Sequence, residues 1–224
     1  MTKSVTNVIV IGATGLVGLE LLKQLNELES CIKITAIVRH ENLELKNLSK
    51  VQQFILDDFL LLNDQDVSGF SHAFSCLGTT LKKAGSKEQF YQTDFEINAH
   101  FADLLELKET HFILVSSIGA DQYSKIFYNR VKGELEQHIL QLGLYKTSII
   151  RPSLLLGNRE EKRNMEVMAQ KVYGAISKYI PKTFKYKPIA AEQVAKAMLY
   201  VAEHQSESIR VYESSEINCN KNSD

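Results

Sequence analysis

Ser117, Tyr128 and Lys132 are the side chains of this 224-residue sequence best suited to chemistry. Tyr128 and Lys132 lie within Tyr128-Asn-Arg-Val-Lys132. A spacing of four puts them on one face of a helix, one turn apart. An ammonium near a phenol favours the phenolate. Lowering a tyrosine pKa from ~10 to near 7 takes about 4 kcal/mol, which Lys132 and a second positive charge would have to supply. A phenol so poised is a general acid, a role that contributes ~10²–10⁴ in rate. Ser117 closes the run Ile113-Leu-Val-Ser-Ser117, eleven residues before Tyr128, and its hydroxyl can hold a substrate oxygen. Tyr-x-x-x-Lys alone is common on solvated helices, so the pair takes its meaning from what positions it.

The strongest positioning signal is at the start of the chain. Residues 8 to 18 read Val-Ile-Val-Ile-Gly-Ala-Thr-Gly-Leu-Val-Gly. The apolar, β-branched run predicts a short buried strand. Gly12 permits a tight turn off it, Gly15 lets a phosphate approach the backbone, and Gly18 allows the next helix to pack against the sheet. A helix over 16–28 then aims its first amides at the turn, which suits a pyrophosphate. Thr14, Leu16 and Val17 share that turn. Arg39 ends the second predicted strand about twenty residues on, where dinucleotide sites choose between a ribose hydroxyl and a 2′-phosphate. A guanidinium suits the phosphate and so NADP; nearby Glu41 would suit NAD. Asp57 and Asp58 follow the third strand, as an acceptor for an adenine amine or as caps of the next segment.

Strands are predicted over 7–11, 33–38, 51–56, 71–76, 111–115 and 146–150, with an edge strand over 208–213. Helices are expected over 16–28, 86–107, 123–142 and 190–204. Alternation of this kind predicts an α/β fold, a Rossmann-type doubly wound parallel sheet. Residues 1–157 form the dinucleotide-binding core. Residues 158–213 supply a small substrate-side lobe and the completing helix and strand, and 214–224 a loose polar tail, all within one compact domain. In the lobe, 158–163 is a charge run and Met165, Met168, Val172, Ile176 and Tyr179 mark an amphipathic helix. Its stripe serves a core, a pocket wall or a homodimer interface.

The net charge of −1, with signs interspersed, excludes an electrostatic case for nucleic acid or an acidic membrane surface. No apolar run approaches the ~20 residues of a spanning helix. Cys31, Cys76 and Cys219 match neither a disulfide framework nor a zinc pattern, and the six histidines show no ligand spacing. No metal is expected, and a reduced, cytoplasmic setting is. Glu134 and Glu136 read as solvated. Lys82 and Lys83 lie where a phosphate or substrate could be touched.

Glycine turn, Ser-Ser strand end and Tyr-x-x-x-Lys, in this order, resemble the short-chain dehydrogenase/reductase superfamily over residues 7 to 200. The Gly-x-x-Gly-x-x-Gly form resembles its atypical branch. Ser75-Cys-Leu-Gly-Thr-Thr80, Lys83-Ala-Gly85, Ser116-Ser-Ile-Gly-Ala-Asp121, Tyr128-Asn-Arg-Val-Lys-Gly-Glu134 and Arg151-Pro-Ser-Leu-Leu-Leu-Gly157 are similar to the Tat-interactive proteins and their bacterial relatives. The resemblance implies Tyr128 as proton donor, Lys132 on the ribose, and Ser117, with Ser116 the alternative, polarising a carbonyl. It implies Cys76, Leu77 and Gly78 along the cofactor and Pro152 at the nicotinamide. A helix asparagine of the family's proton relay falls near Asp94, a departure. The implied activity is NADP-dependent hydride transfer to or from a small carbonyl or alcohol. The alternative is an NADP-sensing regulator acting through a protein partner. An epimerase or dehydratase that oxidises transiently is a third reading.

Overall fold

The computed structural model describes residues 3–156 and 188–219. The chain opens with β1 (Asn7–Ile11), α1 (Leu16–Glu27), β2 (Lys33–Val38), α2 (Leu43–Lys46) and β3 (Val51–Ile55). A 3-10 turn (Phe59–Leu61) leads to β4 (His72–Ser75), α3 (Leu81–Ala84), α4 (Lys87–Tyr91), a π-helical turn (Gln92–Glu96) and α5 (Ile97–Asp103). Then come β5 (His111–Val115), α6 (Phe127–Gln141), β6 (Lys146–Arg151) and β7 (Leu155–Leu156). Beyond residue 187 lie β8 (Ile189–Ala190), α7 (Ala191–His204), β9 (Ile209–Glu213) and α8 (Ser214–Cys219).

Seven strands form one parallel sheet in the order β3-β2-β1-β4-β5-β6-β9. Each predicted strand of this sheet is present to within a residue. Alternation of side chains sorts β1 between two cores. Val8 and Val10 pack with α1 and α7, and Ile9 and Ile11 with α5 and α6. Burial on both faces explains why the strands read as nearly unbroken apolar runs.

Register sets the site. Ile11 pairs with Ser75, Ser75 with Leu114, and Leu114 with Ile149. The glycine turn, Cys76-Leu77-Gly78, Ser116-Ser117 and Arg151-Pro152 therefore leave the sheet along one carboxyl edge. The order reverses between β1 and β4, where open α/β sheets form their ligand crevice.

Three expectations need correction. The helix predicted over 86–107 is broken. Ser86 caps α4 by accepting from the Gln89 amide, and Asn98 donates its side-chain amide to the Thr93 carbonyl at 2.9 Å, across the π turn. The helix expected from 123 begins at Phe127, because Asp121 and Ser124 accept from the amides of Tyr123 and Ile126 and hold that segment in turns. The tail from 214 starts as a helix, with Ile217 buried in the α1/α7 core; one apolar residue among polar ones suffices to dock it. The stripe from Met165 to Tyr179 and the charge run 158–163 fall outside the described residues.

Candidate active site

Gly12 turns the chain off β1 with φ +73°, and a Cβ there would lie 2.4 Å from the Cys76 carbonyl carbon. Side chains are excluded by both the conformation and the space. Gly15 then caps α1 without a side-chain bond, and the first turn of α1 carries no acid. Thr14, Gly15 and Leu16 are exposed, whereas Val17 and Gly18 are buried. An uncapped helix start with open backbone is a fit for a pyrophosphate.

A cleft of about 360 Å³ continues from the turn, with Thr14, Arg39, Glu41, Phe59 and Leu77 among its walls. The exposed Arg39 guanidinium stands 5.6 Å from the centre of the Phe59 ring. Glu41 is drawn to Lys46, 2.8 Å away. Asp58 caps the 3-10 turn by accepting from the Leu60 amide at 3.0 Å. The exposed Asp57 stands beside it, and neither carboxylate is part of the cleft wall. A larger hollow of about 480 Å³ lies by α7, β9 and α8, and none of the predicted site residues lines it.

The second half of the site hangs on α6. Gly133 lets this helix sit directly on the loop after β5, since a Cβ there would fall 2.2 Å from the Asp121 carbonyl carbon. Tyr128 is half-buried, with its ring tilted against Phe90 at 5.6 Å between centroids. Lys132 is buried, and its ammonium lies 2.8 Å from Asp94 Oδ1. The Ser117 hydroxyl is buried with no hydrogen-bond partner among the described residues. Ser116 instead donates to Glu136, which also takes Nε of Arg151 at 3.1 Å and Nη2 at 2.5 Å. Arg151 reaches Glu213 as well, at 2.7 Å. The bonds to Glu136 raise the Arg151 guanidinium above its ordinary range. Pro152 is buried, and its carbonyl accepts from the Ile118 amide. Burial pushes the Cys76 thiol up to about 12. Gly78, Lys82 and Lys83 are exposed.

Glu136 corrects the expectation of a solvated residue: it is 3% exposed and ties the ends of β5 and β6 to α6. The available signal was its place four residues after Lys132, on the Tyr128–Lys132 face. Asp94 stands out in the sequence only as a departure from the family's asparagine. Its spacing from Lys132 carries no local signal of the contact they make.

The pattern that defines the family described as semialdehyde dehydrogenase, NAD binding domain, matches residues 7–125. Protein FMP52-1, mitochondrial, of Scheffersomyces stipitis is 30% identical over 218 residues, which is 93% of this chain and 95% of that protein. Protein HTATIP2 of Rattus norvegicus is 34% identical over 174 residues, 76% of this chain and 71% of its own. The chain belongs to the family of FMP52 and HTATIP2, NAD(P)-binding Rossmann proteins. The Bordetella bronchiseptica enzyme WbmF, solved in complex with NAD+, shares the fold of this family at a TM-score of 0.65 and 16% identity, over 99% of this chain and 80% of its own. The family also corrects the cytoplasmic expectation. FMP52 proteins at 30–34% identity are named mitochondrial. Unpaired cysteines and a near-neutral charge report chemistry rather than address, so composition could not separate the two compartments.

Proposed function

We propose that this family member is an NADP-dependent oxidoreductase that moves a hydride between the nicotinamide and a small carbonyl or alcohol carbon, using Ser117, Tyr128 and Lys132. The observation that carries the reading is the buried Ser117 hydroxyl, without a partner among the described residues, at the end of β5, ahead of the helix that carries Tyr128 and Lys132. Leaving a buried hydroxyl unbonded costs about 1–3 kcal/mol, a cost that a substrate oxygen would remove.

When bound, the dinucleotide supplies or accepts the hydride. In the reducing direction Ser117 donates to the carbonyl oxygen and orients it. Tyr128 gives its phenolic proton to the alkoxide that develops there. Lys132 donates to ribose hydroxyls, and its charge favours the phenolate left on Tyr128. Arg39 takes the 2′-phosphate, with Glu41 occupied by Lys46. The high pKa of the Cys76 thiol leaves little thiolate near neutral pH, which supports a tyrosine-based rather than a cysteine-based route.

The test is Tyr128→Phe, followed by nicotinamide absorbance on a panel of aldehydes and ketones. Turnover should fall at least ~100-fold with NADPH binding retained. Undiminished turnover overturns the reading.

A further inference from the structure

Asp94 is fully buried in the π turn between α4 and α5, where its two carboxylate oxygens face two donors. Oδ2 accepts from the backbone amide of Thr79 at 2.9 Å. Oδ1 lies 2.8 Å from the Lys132 ammonium. The backbone of Gly78 passes beside the pair, so that a Cβ on it would lie 3.3 Å from Asp94 Oδ1 and 3.4 Å from Lys132 Nζ. An asparagine side chain could not replace this carboxylate: it has a single acceptor oxygen and would turn its NH₂ group toward the second donor. Without the carboxylate, a buried ammonium would stand uncompensated. With it, one N–H of Lys132 is committed, and among the described residues no other acceptor takes the remaining two.

We propose that Asp94 is a positioning residue for the dinucleotide. It holds the Lys132 ammonium on α6 in its binding arrangement before the nucleotide arrives, so less ordering is left for the binding step. It acts through Lys132 and touches neither nucleotide nor substrate. The inference rests on the assignment of Lys132 to the ribose under the proposed function.

Calorimetric titration with NADPH tests it on the full chain, for the wild type, Asp94→Asn, Lys132→Met and the double variant. Each single substitution should weaken binding roughly tenfold, and the double variant should bind no worse than Lys132→Met alone. Losses that multiply in the double variant overturn the proposal, as does an Asp94→Asn protein that binds like the wild type. A Lys132→Met protein with wild-type affinity overturns the ribose assignment and the proposal together. Should Asp94→Asn prove too unstable to titrate, Lys132→Met and the double variant, which leave no unpaired ammonium at this site, keep the proposal open to refutation: a further loss in the double variant overturns it, and equal affinities about tenfold below the wild type support action through Lys132 alone. Nitrogen–proton NMR of lysine ammonium groups reads the pair directly. The Lys132 signal, assigned by its absence from Lys132→Met, should vanish in folded Asp94→Asn; its persistence there overturns the proposal.

Discussion

Among the described residues, the exposed Arg39 guanidinium rests only against the Phe59 ring. Glu41, which shares the cleft wall, is held by Lys46. A guanidinium left this open suits a phosphate, because its planar fork donates two parallel hydrogen bonds. Arg39→Asp should therefore weaken NADPH binding by at least ~10-fold, the scale of one charge-assisted contact, and leave NADH binding within about threefold. Parallel fluorescence titrations with the two nucleotides check this, and equal losses would reject the 2′-phosphate role. At this scale the sequence was partly legible. The turn at Gly12 and the places of Arg39 and Ser117 at strand ends stood out because residue type and local pattern carry them. The roles of Glu136 and Asp94 did not, because each depends on a partner supplied by another element.

At the scale of elements, α6 is the part on which the site turns. It carries Tyr128, Lys132 and Glu136 on one face, and Gly133 sets its depth against the loop after β5. Gly133→Ala puts a methyl group into the backbone of Asp121 and Gln122. The helix must lift or the loop must move, at a cost of roughly 1–3 kcal/mol, the scale of overpacking. Thermal melting should show the loss as a drop of several degrees, and an unshifted midpoint would show that the contact is soft. Strands and α1 were readable from apolar periodicity because their burial is uniform along each run. The break of the 86–107 helix was not, because it depends on Asn98 reaching back to Thr93 and on Asp94 meeting an amide from the β4 loop.

Across the whole molecule, a second polar cluster lies at the opposite end of the strands. His72 and His111 are buried, with ring centroids 5.3 Å apart. His111 meets the Ser148 hydroxyl at 2.7 Å, and His72 the Ala202 carbonyl at 3.1 Å. Burial pushes His72 down to about 4 and His111 to about 3, against ~6.5 in an unfolded chain. The sign follows from proton counting. Above pH ~6.5 both states leave the rings neutral, and the fold keeps its full stability. As the pH falls through 6.5 toward 4 and 3, the unfolded chain takes up protons that the folded one refuses, and stability is lost. At pH 5 the loss is about 2 kcal/mol for each histidine. Urea midpoints measured at pH 7.5 and 5.0 should differ accordingly, with the lower midpoint at pH 5.0. Matching midpoints would reject the neutral buried pair.

One edge of the sheet is formed by β9, the last strand among the described residues, which pairs along β6. The helix before it, α7, packs against α1 near the start. A polypeptide leaving the ribosome thus shows its nucleotide-binding half first, with β6 lacking an outer neighbour and α1 lacking its cover. α1 waits until residue 204 has emerged, and β6 until residue 213. Vectorial synthesis cannot finish this half on its own, and the nascent chain must keep the edge of β6 out of contact with other chains until β9 arrives.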